Sequence, residues 1–159
     1  MKMKNMLMTV LIASAFATVA TAAIPANAIG ARLNGGAEVS YQRGLSSKNR
    51  LEIDVGWYSN RYYNHNDSWS SLGVTGIYQW DWNITSGLNW FVGPGGAIGI
   101  YSGHESGLGL GVGGQIGLEY NFNTLGAPIL LGLDLRPMWG VFSNAGMNND
   151  AGLSIRYTF

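Results

Sequence analysis

The chain alternates. In residues 50–58, Leu51, Ile53, Val55 and Trp57 fall on one set of positions and Glu52, Asp54 and Gly56 on the other. Successive side chains of a strand point to opposite faces, so a period of two predicts a strand with one apolar and one polar face. Residues 37–43 set Ala37, Val39 and Tyr41 against Glu38, Ser40 and Gln42. Residues 74–82 follow the same rule, with Ile77 alone on the polar side. The longest run, 108–122, places Leu108, Leu110, Val112, Ile116, Leu118, Tyr120 and Phe122 opposite Gly109, Gly111, Gly113, Gln115, Gly117, Glu119 and Asn121. Residues 129–141 alternate again, with Asp134 and Arg136 on the polar side. The last run, 151–159, sets Ala151, Leu153, Ile155, Tyr157 and Phe159 against Gly152, Ser154, Arg156 and Thr158. No helical period competes with this pattern.

Turn signals separate the runs. Residues 46–49, 83–87 and 123–128 form one set; 60–68, 102–107 and 143–150 form a second, more polar or longer set. The two sets alternate along the chain. Seven strands are evident. An even count returns both ends to one side of a barrel, so the first segment divides into a short strand at 29–34, a tight turn at Gly35-Gly36 and a second strand at 37–43. The expected fold is all-β: an eight-stranded antiparallel up-and-down β-barrel. Pro94, inside a strand, is expected to mark a bulge or an unpaired edge.

A soluble barrel turns its apolar face inward around a greasy ligand, and a membrane barrel turns it outward. The polar face is crowded with glycine and with charges of both signs, which suits the interior of a narrow barrel. Aromatic residues gather near strand ends. Trp80, Trp82, Tyr120, Phe122, Tyr157 and Phe159 lie toward one end, and Trp57, Trp139 and Phe142 toward the other. That is the two-girdle pattern of a bilayer-facing surface. The N-terminus carries Lys2 and Lys4, an apolar run at 6–16 and then small residues, which is the layout of a secretory signal peptide. Residues 1–22 are assigned to it, with cleavage as late as residue 28, and residues 29–159 to the barrel. Past the signal, no apolar run reaches the roughly 20 residues a membrane helix needs, so any spanning is by strands. Acidic and basic residues number 9 each and no basic stripe is present, which argues against nucleic acid as a partner. With no cysteine, disulfide and thiolate chemistry are excluded.

The closing strand, ending on Phe159, resembles that of bacterial outer-membrane β-barrels, where the terminal aromatic strand is read by the barrel-assembly machinery. The stretches 49–54 (Asn-Arg-Leu-Glu-Ile-Asp), 78–80 (Tyr-Gln-Trp), 89–95 (Asn-Trp-Phe-Val-Gly-Pro-Gly), 115–120 (Gln-Ile-Gly-Leu-Glu-Tyr) and 134–137 (Asp-Leu-Arg-Pro) resemble the small outer-membrane barrel proteins common in Bacteroidota. The resemblance covers essentially all of the chain past the signal. It implies eight strands, a bacterial outer-membrane location surrounded by lipid, and both mature termini in the periplasm. It brings no cofactor and no catalytic residue.

Arg32, Glu38, Glu52, Asp54, Glu119, Asp134, Arg136 and Arg156 share the polar face. Unpaired charge is costly at low dielectric, so these residues are expected to form an ion-pair network filling the lumen. The competing reading is a narrow solute channel. Inward glycines of neighbouring strands are expected to lie under Phe91, Tyr101 or arginines. In an outer loop, His104 and Ser106 flank Glu105 and are the only candidates for a lipid hydrolase or acyltransferase. Adjacent strand residues face opposite ways, which argues against a triad there. His65 and His104 are too few for a closed metal site. The loop around 60–66 mixes aromatics with amides and is either a candidate surface for an external ligand or an interfacial anchor ending the aromatic belt.

Overall fold

A computed structural model describes residues 23–61, 68–102, 106–142 and 149–159. The strands are β1 (Asn27–Leu33), β2 (Ala37–Gly44), β3 (Asn49–Arg61), β4 (Ser68–Thr85), β5 (Leu88–Ser102) and β6 (Gly107–Asn121). Next comes β7 (Ile129–Arg136), which breaks at Pro137 and resumes as Met138–Phe142. The last is β8 (Asp150–Thr158). Each pairs antiparallel with its chain neighbour, and β8 pairs with β1 through Ala31↔Ile155, which closes the barrel. Closure leaves no long sheet edge, the condition for strands to sit in hydrocarbon. The protein is therefore an eight-stranded antiparallel barrel.

The division of the first segment holds. β1 and β2 pair through Ala31↔Val39, and Gly35 makes the turn between them at φ +87°, a conformation that favours glycine. The first strand starts earlier than the expected boundary at 29, because Asn27 pairs with Arg43 and Ala28 with both Gln42 and Thr158.

The barrel is inside out relative to a water-soluble protein. Leu33, Val39, Trp57, Ile98, Val112, Leu133, Leu153 and Ile155 point outward and are exposed. Arg32, Glu52, Asp54, Gln79, Glu119, Arg136 and Arg156 are buried inside. The apolar face runs right round the barrel, far beyond the few hundred Å² a soluble monomer shows. Such a face is suited to a surrounding of lipid. The apolar residues Ile77 and Leu130, on the polar register, are fully buried with the charges.

Aromatic pairs gather toward the end where Ala23 and Phe159 lie, called here the terminal end. Trp82 stacks on Trp90 with ring centres 4.4 Å apart, Tyr78 meets Trp80 edge-on at 5.1 Å, and Tyr120 meets Phe122 at 4.7 Å. Trp57 and Trp139, each 63% exposed, stand toward the opposite, loop end.

Of the two expectations at Pro94, the local loss of pairing is seen and the bulge is not: Tyr78 and Gln79 have no ladder partners opposite Pro94 and Gly93. Ile77↔Gly95 and Trp80↔Val92 keep one register on either side of it. Proline only withholds one N–H, and Gly93 beside it lets the Tyr78 carbonyl come closer than a Cβ would allow. The register shifts fall instead at Asn83/Thr85 and at Leu110/Gly111, the latter opposite the strand that resumes after Pro137.

Candidate functional site: the charged lumen

Four arginines occupy successive levels of the lumen, and shared carboxylates link them. At the loop end, Arg32 donates bidentately to Asp134 (Nε to Oδ2 3.1 Å, Nη2 to Oδ1 2.6 Å) and pairs with Asp150. Glu38 bridges Arg32 (3.0 Å) to Arg136 (3.3 Å). Glu52 bridges Arg136 (2.9 Å) to Arg156 (2.9 Å), while Asp54 pairs with Arg136. Glu119 bridges Arg156 (3.5 Å) to Arg50, and Arg50 reaches Asp81 (3.2 Å) near the terminal end. The result is one unbroken chain of alternating guanidinium and carboxylate from one end of the barrel to the other.

Amides and hydroxyls take up remaining positions. Gln42, Gln79 and Gln115 donate to Glu52 at 2.7, 3.2 and 3.1 Å. Arg156 donates to Ser40 (2.9 Å) and Ser154 (2.8 Å). The Arg50 guanidinium carbon lies 4.8 Å from the centre of the Phe91 ring, a cation–π distance. Strand geometry explains how this fits. A Cβ on Gly117 would meet Phe91 Cζ at 2.5 Å, and one on Gly152 would meet the Arg32 guanidinium at 2.5 Å. Both glycines are the floor on which a large inward side chain rests.

Neutral polar groups line the terminal end. Asn121 and Thr158 both bond Asn123, and Asn83 donates to Asn89 at 2.8 Å. Residues 23–26 cross the same end: Ala26 O accepts from Gly44 N at 3.0 Å and Ala23 O from the Asn121 amide at 3.4 Å.

All eight charged residues singled out from the sequence face the lumen, and the structure brings them together. Three further residues belong to the network: Arg50, Asp81 and Asp150. Arg50 and Asp81 have the inward parity of Glu52 and Gln79, so the alternation contained them. The turn signal at 143–150 places Asp150 in a loop, but it is the first residue of β8. Ser106 is exposed beside the start of β6. His104 and His65 lie outside the described residues. Among the described residues no cluster of acidic, histidine or cysteine side chains is arranged to hold a metal.

Such a lumen leaves little free space between its side chains. The interior of an eight-stranded barrel is just wide enough for side chains. Here it is occupied by guanidiniums whose removal from their partners would leave uncompensated buried charge.

A closed eight-stranded barrel with a charged core and a continuous apolar exterior is the fold of the small outer-membrane β-barrels. Solved structures agree. Neisserial surface protein A (NspA) superposes with a TM-score of 0.60 at 15% identity, covering 84% of this chain and 93% of that one. The Yersinia pestis outer membrane protein Ail, in a phospholipid bilayer nanodisc, superposes with a TM-score of 0.51 at 12% identity, covering 84% and 97%. At these identities the likeness is one of fold. No protein-family model matches the chain, and no curated protein matches it.

Proposed function

We propose that this is an integral protein of a bacterial outer membrane, with a plugged lumen, whose role is structural or is carried out by its external loops. The observation that carries this reading is the guanidinium–carboxylate chain running the length of the lumen. A solute would have to break several of these pairs at once. The terminal end, with Phe159, is periplasmic in this reading, and the strand ending there is the contact for the barrel-assembly machinery. Lipid surrounds the outward apolar face. The resemblance of the stretches quoted above to the small barrels of Bacteroidota belongs to the same proposal.

The reading also selects a start for the mature chain. Removal of everything up to Ala28 would take Asn27 and Ala28 out of β1, together with the bond from Phe159 N to Asn27 O at 3.0 Å. Cleavage after Ala22 keeps residues 23–28, all of which lie against the barrel in the structure. The intact mass of protein isolated from membranes is expected to correspond to a chain starting at Ala23.

The test of function is electrical. Purified protein reconstituted in a planar lipid bilayer is expected to give no discrete conductance steps. Regular single-channel steps from the unmodified protein would overturn the plugged-lumen reading in favour of a narrow channel.

A further inference from the structure

The outward register of the barrel is apolar or aromatic almost throughout, and in its terminal half one position carries a charge. Arg43, near the end of β2, has the parity of Val39 and Tyr41 and is exposed. Arg32, Arg50, Arg136 and Arg156 are buried in the lumen and paired with carboxylates. Arg43 takes part in none of the ion pairs among the described residues. Its hydrogen bond there is a long one, from Nη1 to Asn27 Oδ1 at 3.5 Å. The same oxygen accepts from the Tyr41 hydroxyl at 2.8 Å, which fixes the Asn27 amide behind the guanidinium. A guanidinium has five N–H donors in a planar fork. Most of this fork is unused, and it sits on the outer surface.

Strand register sets the height of this charge. Arg43 pairs with Asn27 on one side and Leu51 on the other; Leu51 pairs with Tyr78, and Asn27 O accepts from Phe159 N at 3.0 Å. One row therefore reads Phe159, Asn27, Arg43, Leu51, Tyr78 across neighbouring strands. Aromatic belts of this kind lie at the level of lipid headgroups, and Arg43 stands within one. Toward the middle of the barrel the same two strands continue as Tyr41↔Ile53 and Val39↔Val55, where Val39, Ile53 and Val55 form an exposed apolar lane. Asp81 and Glu119, the carboxylate side chains near this end, are buried with Arg50 and do not share the outer surface. Lys48, exposed in the turn after β2, adds a second cation at the same end.

We infer that Arg43 is the seat for the phosphate of an anionic glycerophospholipid in the leaflet at the terminal end. The guanidinium fork receives the phosphate oxygens, Asn27 steadies the fork, and an acyl chain runs along the lane of Val39, Ile53 and Val55. Arginine suits the task because its fork matches phosphate bidentately, whereas lysine offers a point charge. The preference for an anionic lipid follows from Arg43 and Lys48 standing at this end with no carboxylate side chain beside them on the outer surface. The inference rests on the reading of the apolar exterior as lipid-facing and is independent of the plugged lumen.

Native mass spectrometry of the full-length barrel in detergent at low salt counts bound lipids one at a time. Phosphatidylglycerol is the probe, and phosphatidylcholine with the same acyl chains is the control. The first phosphatidylglycerol is expected to bind about fivefold more tightly than the first phosphatidylcholine, the weight of one cation at a membrane surface. Arg43→Gln is expected to erase that preference, with heat-modifiable gel mobility showing that the barrel still folds. Arg43→Lys is expected to fall between the two. Equal binding of both lipids by the unmodified protein, or a preference that survives Arg43→Gln, overturns the inference. So does an Arg43→Lys protein equal to the unmodified one, which means general charge attraction without a seat. Inorganic phosphate is expected to show no saturable binding in the same detergent; saturation that Arg43→Gln removes would assign the position to a free anion instead. A protein that stays monodisperse in water without detergent counts against the lipid-facing reading, whereas a detergent-dependent barrel with no preference for phosphatidylglycerol counts against the seat alone.

Discussion

Glu52 is the junction of the lumen, and Glu52→Gln is the perturbation that tests it. The carboxylate accepts from Arg136 and Arg156, each at 2.9 Å, and from the amides of Gln42, Gln79 and Gln115. All five partners are donors, and Glu52 itself is fully buried. Glutamine preserves volume but removes the charge and replaces one acceptor oxygen with an NH₂ group. That NH₂ faces donors, so at least one interaction becomes repulsive. Removing one partner of a buried ion pair costs about 3–5 kcal/mol, because the remaining charge is left without compensation. An exposed pair is worth about 0–1 kcal/mol. The two classes are far enough apart to be told apart by one assay: reversible urea unfolding in lipid vesicles, followed by tryptophan fluorescence. Lys48→Gln, at an exposed turn position, is the control and is expected to change stability by less than about 1 kcal/mol. The denaturant slope should stay the same, since neither change alters how much surface unfolding exposes. If Glu52→Gln costs no more than the Lys48 control, the carboxylate is not the junction of a dry charge network, and the lumen argument fails.

Other expectations follow from the same geometry. Gly117→Ala is expected to destabilise by about 1–3 kcal/mol through overpacking against Phe91, whereas Gly73→Ala, with its nearest neighbour at 3.8 Å, should be nearly silent; equal effects in the same unfolding assay would contradict this difference between the two glycines. Val112→Lys puts a charge on the outward face near the middle of β6 and is expected to cost about 2–4 kcal/mol in vesicles, with little loss if that face meets water. Deleting Phe159 is expected to slow folding into membranes in cells while leaving refolding into detergent intact, measured by the fraction of heat-modifiable protein on unboiled gels. Equal effects in both settings would argue against recognition of the terminal strand by assembly machinery.

The alternation carried most of the architecture. Period two located the strands, parity separated Arg32, Glu52 and Arg156 from Leu33, Ile53 and Tyr157, and the need for an even count revealed β1, a strand too short to stand out. Pairing within the lumen was not legible in the same way. Which carboxylate bridges which arginines depends on the stagger between strands once the sheet closes, so Glu119 could be placed inside but not assigned to Arg50 and Arg156. Asp150 was lost because strand ends are set by hydrogen-bond partners on the neighbouring strand, here Arg136, and not by local composition. Pro94 interrupts the ladder to β4 but shifts no register. A proline forgoes one ladder bond, and whether that shifts the register depends on the residue beside it, which here is a glycine. Pro137, by contrast, does split its strand, and the shift at Leu110/Gly111 lies across from the second half.

The most direct test of the inside-out barrel uses its lack of native cysteine. Single cysteines at 131, 132, 133, 134 and 135 along β7, spin-labelled in lipid vesicles, report collision with dissolved oxygen and with a water-soluble nickel chelate. The account predicts a period of two: labels at 131, 133 and 135 collide with oxygen and are shielded from the chelate, while labels at 132 and 134 are shielded from lipid-dissolved oxygen. Chelate access at 131, 133 and 135, with 132 and 134 reporting an apolar interior, would contradict it.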